Sequence, residues 1–318
     1  MGGSDPAPRP SGSADRRTLL AIVGPTAVGK TALALELAER LSAEVLSLDS
    51  MLVYRGLDIG TAKPTPEERA RVPHHLIDLV SPVERYDVQR YLADAASAEQ
   101  EAAASGHQAL YVGGTGFYLQ ALLAGLDDGL DVDLDLRAEL ERAYDEDAGA
   151  ELMRTLRETD PASAERIHVN DRKRLVRAHE ILRLTGKQPS ELRSAWQPST
   201  LARDHRLVGL AVEGSQLRER IVARTQAMLD GGWIEEVRAI EASDGFGPTS
   251  SQALGYPEVR AHLAGELGRE ELVERIVTRT WRFSRRQLTW YRRMPSIEWV
   301  DPASPNAIER ALGALDRG

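Results

Sequence analysis

A chain of 318 residues, 42% hydrophobic and 28% charged, can bury a sizeable core in one large domain or two smaller ones and excludes a highly charged disordered chain. It has no cysteine, which excludes disulfides, thiolate metal sites and cysteine nucleophiles together. A net charge of −9 would argue against nucleic acid if the basic residues were evenly spread, but Arg279, Arg282, Arg285, Arg286, Arg292 and Arg293 follow one another with no acid between them.

Residues 1–17, rich in Gly, Pro, Ser and charge, read as a disordered tail. Thr18–Gly24 is a short apolar run that predicts a buried strand. It is far too short to span a membrane, and no basic, apolar leader precedes it. A soluble, cytoplasmic, monomeric protein is expected. Lys30–Leu41 is helical, with Leu33, Leu37 and Leu41 on one stripe. Glu44–Leu48 predicts a second strand, and Ala109–Val112 a third that runs into Gly113-Gly114. Strands alternating with helices predict an α/β fold: a P-loop NTPase-like parallel sheet flanked by helices. After Gly125 the pattern changes, and residues 134–187 carry helical periodicity without a convincing strand. Arg206–Val212 then returns as a strand, followed by helices at about 214–230, 233–243 and 269–293. The expected architecture is a core of residues 18–125 and 204–318, interrupted by an all-helical insertion domain over 126–203.

Gly24-Pro25-Thr26-Ala27-Val28-Gly29-Lys30-Thr31 matches GxxxxGK[ST] between the first strand and the first helix. Its glycines let the backbone curl so that amides face an anion, Lys30 adds a point charge, and Thr31 offers an oxygen to Mg²⁺. The only other lysines are Lys63, Lys173 and Lys187, so positive charge elsewhere is nearly all arginine, which forks onto phosphates and stacks on bases. Nucleotide hydrolases usually place an acid after an apolar strand to hold Mg²⁺ and order water. Here Val112 is followed by Gly113, Gly114 and Thr115. That weakens a nucleotide-hydrolase reading and leaves open enzymes in which the loop grips a leaving group or a donor.

Asp49 ends the second strand on the same sheet edge and can take a proton from a nucleophile, or it can cap a helix starting near Met51. Thr115 is open in the same way, as a substrate contact or a turn residue. Arg220 and Arg224 lie four apart on a helix whose core positions are read as Leu217, Ile221 and Met228. His74 and His75 lack further ligand-spaced partners and read as structural.

Several segments together resemble the tRNA dimethylallyltransferase family. They are Gly24–Thr31, Ser47–Met51, Tyr54–Pro64, Pro73–Asp78, Val112–Thr115, Asn170–Arg174, Gln252–Tyr256 and Arg285–Trp290, in order from residue 18 to about 300. The resemblance implies transfer of dimethylallyl from its diphosphate to the exocyclic amine of the adenine immediately 3′ of the anticodon in tRNA. It implies Asp49 and Thr115 as catalytic residues, with Arg224 joining residues 24–31 against the diphosphate and Thr31 on Mg²⁺. It further implies that Asp49, Ser50, Met51, Leu52 and Thr115 meet the flipped base of the anticodon stem-loop. Arg137, Lys173, Arg174, Leu175, Val176 and Arg177 are implied at other parts of the tRNA. So are Gln252, Ala253, Leu254, Gly255, Tyr256, Arg285, Arg286, Gln287, Thr289, Trp290 and Arg292. Leu52 stands where the family commonly has glutamine. Two other readings compete: a small-molecule P-loop kinase using Asp49 as base, and a non-catalytic RNA-binding module. The kinase leaves the arginine-aromatic segment near the C-terminus without a task.

Overall fold

The computed structural model describes residues 18–125, 133–193, 203–294 and 296–316, so the tail expected over residues 1–17 lies outside the described residues. The chain divides into two compact units: Met1–Leu123 with Arg203–Gly318, and Ala124–Ala202. The first contains six parallel strands, β1 (Leu19–Val23), β2 (Ala43–Leu48), β3 (His74–His75), β4 (Gln108–Gly113), β5 (His205–Leu210) and β6 (Ile297–Val300), ordered β3-β2-β4-β1-β5-β6. Its helices before the insertion are α1 (Lys30–Leu41), α2 (Pro66–Arg71), α3 (Val88–Ala104) and α4 (Gly116–Ala124). The second unit holds α5 (Leu134–Asp147), α6 (Ala150–Thr159), α7 (Pro161–Ala164), α8 (Arg172–Thr185) and α9 (Pro189–Arg193). The first unit then resumes with α10 (Gly214–Asp230), α11 (Trp233–Ala242), α12 (Tyr256–Leu263), α13 (Arg269–Tyr291) and α14 (Ala307–Leu315).

All five residues of β1 are buried, as a central parallel strand covered on both faces requires. Leu20 and Ile22 join Val45, Leu110, Val208 and the inner faces of α1, α10 and α14 in one apolar cluster. On the other face α3 presents Tyr91, Ala95, Ala98 and Ala102 to β2 and β4, and the Tyr91 hydroxyl donates to the Ser47 carbonyl at 3.0 Å. In the second unit Leu140, Leu152, Leu156, Ile167, Leu175 and Val176 form a separate core. Asp133 and Asp171 cap α5 and α8 there by accepting amide protons of the first turn.

The register fixes the functional edge. Gly113 pairs with both Val23 and Leu48, so the residues that follow β1, β2 and β4 emerge side by side at one edge of the sheet. The sequence did not predict β3 or β6, because two and four residues are too short for a periodic pattern. On α10 the buried apolar residue of the last turn is Leu229. Met228, read from the sequence as core, is half-buried and lines a cavity.

Candidate active site

The phosphate loop is held in shape from several sides. Gly29, the residue before α1, has φ 105°, which glycine adopts without steric cost. Ala27 also lies in the left-handed region at φ 64°, which costs a non-glycine residue about 1–2 kcal/mol. Bonds from distant segments offset this strain. Arg220 Nη1 donates to the Val28 carbonyl at 2.9 Å, and the Thr26 amide donates to Gln287 Oε1 at 3.0 Å. Lys30 Nζ donates to the carbonyls of Gly24 at 3.0 Å and Pro25 at 2.8 Å. The loop opens on a cavity of about 350 Å³ whose lining includes Lys30, Thr31, Asp49, Thr61, His74 and Arg224. The N-terminal end of α1 faces the same space, adding partial positive charge.

Asp49 combines the two roles left open by the sequence. Its Oδ1 accepts the Met51 amide at 2.9 Å, which fixes a turn; no helix starts at Met51. The same carboxylate lines the cavity opposite Lys30 and Arg224. Burial pushes its pKa above the ordinary carboxylate value, against the opposing pull of the Met51 amide and the two cations. Burial, then the neighbouring Arg224 charge, pulls Lys30 down to about 8, while Asp49 acts in the opposite direction. Burial also works against the charge of Arg224, which Asp49 supports. The site therefore sets Lys30 and Arg224 against one carboxylate, all three half-buried, and a polyanion would relieve this excess positive charge. Thr115, two residues beyond β4, accepts the Ser50 amide on Oγ1 at 3.2 Å, which ties it to the residue after Asp49.

The wall beside Arg224 is built from residues 57–64, and its anchors come from far away. Glu236 on α11 accepts the amides of Asp58, Ile59 and Gly60 at 2.8, 2.6 and 3.2 Å, as well as the Tyr256 hydroxyl at 2.7 Å. Lys63, whose part in its motif the sequence left open, is buried. Its ammonium donates to the Tyr54 carbonyl and pairs with Asp58 and Asp78 at 2.5 and 2.6 Å. A second cavity of about 900 Å³ opens beyond this wall, and Arg224, Ala62 and Pro64 line both. His74 donates from Nδ1 to the Val72 carbonyl at 2.7 Å, since a carbonyl can only accept. Burial lowers its pKa, so it is neutral at pH 7. His75 pairs with Glu44, and no cluster of three metal-ligating side chains occurs among the described residues.

The residues carried over as RNA contacts differ widely in where the structure places them. Ser50, Met51 and Leu52 are half-buried beside Asp49, and Leu52 lines the smaller cavity. Arg285, Arg286, Thr289, Trp290 and Arg293 line a shallow surface cavity of about 240 Å³ on α13 and the turn after it. Arg282, Arg285, Arg286, Arg292 and Arg293 are exposed, and no ion pair joins them among the described residues. Arg285 and Arg286 stack on Trp281 and Phe283. By contrast, the side chains of Leu175, Val176, Ala253, Tyr256 and Gln287 are buried. Arg137 and Arg177 pair with the buried Glu180 at 3.0 and 2.9 Å. Lys173 and Arg174 are exposed on the first turn of α8, while Gln252 and Leu254 flank the buried Ala253. Sequence reasoning missed Glu236 altogether and gave Gln287 and Tyr256 no internal partner. Bonds formed across 261 and 20 residues leave no local signature.

Fold and site define a P-loop α/β protein in which Lys30 and Arg224 share a cavity with the half-buried carboxylate of Asp49. A family model described as IPP transferase matches residues 52–294, and one described as isopentenyl transferase matches residues 17–78. The chain belongs to the IPP transferase family. It is 41% identical over 314 residues to tRNA dimethylallyltransferase 2 of Syntrophus aciditrophicus, covering 97% of this chain and 99% of that one. It is 44% identical over 295 residues to tRNA dimethylallyltransferase of Anaeromyxobacter dehalogenans, covering 92% and 98%. Among solved structures, the tRNA isopentenylpyrophosphate transferase of Bacillus halodurans is similar with a TM-score of 0.68 at 36% identity, covering 93% of this chain and 94% of that one. A eukaryotic dimethylallyltransferase acting on tRNA is similar with a TM-score of 0.79 at 29% identity, covering 93% and 78%.

Proposed function

We propose that this protein transfers a dimethylallyl group from dimethylallyl diphosphate to the exocyclic amine of the adenine immediately 3′ of the anticodon in tRNA. The observation that carries the reading is Asp49, held in a shielded cavity against Lys30 and Arg224, with Gly114 and Thr115 where a hydrolase would present an acid. The new bond joins the adenine nitrogen to the allylic carbon as the carbon–oxygen bond to diphosphate breaks. The nitrogen proton passes to Asp49. Lys30, Arg224 and the loop amides take up the charge that develops on the diphosphate. Shielding from water suits an allylic carbon that departs with cationic character. The names of the relatives support the same substrates. On this reading the protein works as a cytoplasmic monomer on the anticodon stem-loop. No helix among the described residues is long and apolar enough to cross a membrane.

Mg²⁺ suits this donor set. With no three-ligand cage among the described residues, the protein offers the Thr31 hydroxyl on the cavity. Mg²⁺ characteristically keeps water and phosphate oxygens for the rest of its shell. When bound, it would offset diphosphate charge.

The direct test combines the protein with dimethylallyl diphosphate, Mg²⁺ and unmodified tRNA carrying consecutive adenines in the anticodon loop. Prenylated adenine is expected. Phosphorylation of a metabolite by ATP, or tRNA binding without turnover, would overturn the reading.

The titrating groups set a pH profile. Asp49 must be ionised to accept a proton and burial raises its pKa, so the acid limb of activity lies above the ordinary aspartate value. Lys30 must be charged and its pKa is lowered to about 8, so kcat/KM for the donor falls as pH rises past about 8. The expected profile is a bell, and Lys30→Arg moves its basic limb upward. A basic limb unmoved by that substitution would assign it to another group.

Binding of tRNA is expected to weaken steeply with salt. Arg285→Ala with Arg286→Ala flattens the slope of log affinity against log salt by about 0.7–0.9 for each phosphate that is no longer neutralised. A slope unchanged in the double variant would remove these arginines from the RNA interface.

A further inference from the structure

Gln287 lies on the arginine-rich helix α13, but its side chain is 8% exposed and points into the protein. Its amide is used on both ends. Oε1 accepts the Thr26 amide of the phosphate loop at 3.0 Å, and Nε2 donates to the Gly114 carbonyl at 2.9 Å. Gly114 follows β4, and the next residue, Thr115, accepts the Ser50 amide beside Asp49. One side chain thus connects the loop expected to hold the donor to the strand end that supports the acceptor side. The geometry also accounts for Gly114, because a Cβ added there would lie 2.2 Å from Gln287 Nε2. Only glycine lets the amide approach this closely.

We infer that Gln287 is a positioning residue for the transfer reaction, clamping the phosphate loop to the Gly114–Thr115 strand end, and that it does not read RNA. The Thr26 amide is turned towards Gln287, so the amide fixes the start of the loop from outside. The ends of the amide are not interchangeable: the Thr26 N–H requires an acceptor and the Gly114 carbonyl requires a donor. A carboxylate of the same shape satisfies only the first and sets an anion against the Gly114 oxygen. A clamp of this kind acts on where the diphosphate sits, and small displacements of bound groups cost up to ~10²-fold in rate. The inference rests on the transfer reaction proposed above, but diphosphate binding reads it without turnover.

The test uses Gln287→Glu, Gln287→Ala and Gly114→Ala in the full chain. It measures affinity for inorganic diphosphate with Mg²⁺, donor KM and kcat, tRNA affinity and Tm. Gln287→Glu is expected to weaken diphosphate binding and lower kcat/KM for the donor at least about tenfold, with tRNA affinity within about twofold of the parent. Gly114→Ala gives the same pattern in the parent. It adds little further in the Gln287→Ala background, where the clashing amide is gone, so the two effects are non-additive. A loss of tRNA affinity with donor kinetics intact would make Gln287 an RNA-reading residue. A fall in Tm with unchanged diphosphate affinity and kinetics would make it a packing residue; either result overturns the inference. If the parent binds diphosphate but forms no prenylated adenine, the proposed reaction fails and the diphosphate arm still decides the clamp.

Discussion

Replacing Asp49 with asparagine is expected to lower kcat by about 10²–10⁴, the usual worth of a positioned proton acceptor. Asparagine keeps an oxygen that can accept the Met51 amide, so the turn after β2 stays in place and Tm changes little. The substitution removes a negative charge facing Lys30 and Arg224, so donor affinity holds or rises. A fall in kcat with KM unchanged or lower separates a role in the chemical step from one in binding. The acid limb of the pH profile should vanish with the carboxylate. Near-normal kcat in Asp49→Asn would move the proton acceptor elsewhere.

Lys30→Met is expected to cost about 10²–10³ in kcat and to raise donor KM, because the ammonium faces charge that grows as the diphosphate leaves. The neutral side chain also gives up the bonds to the Gly24 and Pro25 carbonyls, so the loop loosens as its charge is lost. The charge-retaining Lys30→Arg therefore serves as the control. It restores the electrostatics in part, but a planar guanidinium replaces a compact ammonium that meets two carbonyls. Affinity for tRNA should match the parent in both variants. If Lys30→Met bound diphosphate normally and turned over normally, the loop would be structural and the leaving group would lie elsewhere.

The parts of the molecule legible from sequence are those whose partners are near in the chain. Residues 24–31 announce themselves because strand, glycine turn, lysine and helix follow without interruption. Asp49 is legible because a strand must end on the edge where that loop sits. The amphipathic stripe of Leu33, Leu37 and Leu41 gives α1 directly, and all three are buried. Other features fail for identifiable reasons. The arginines of α8 and α13 look alike as text, yet Arg177 is drawn to a buried glutamate three residues on, whereas Arg285 and Arg286 face solvent. Met228 and Leu229 are both plausible core residues, and only the rotation of α10 against its neighbours decides between them. β3 exists because Val45 and Leu46 offer it a ladder, which nothing within His74-His75 could predict. In Gln252–Tyr256 the resemblance groups residues by proximity in sequence, while the structure gives Tyr256 to Glu236 and leaves Gln252 at the surface.

The carboxylate of Glu236 also governs when the pocket can come into being. It meets the Ile59 amide across 177 residues of sequence, so the pocket wall at residues 58–60 takes its shape from a helix made much later. Closing so long a stretch of chain costs entropy before any of those bonds can repay it. A nascent chain that has emerged only through β4 carries every residue of the phosphate loop but lacks the anchor for that wall. The wall beside Arg224 is therefore completed only after α11 has been made.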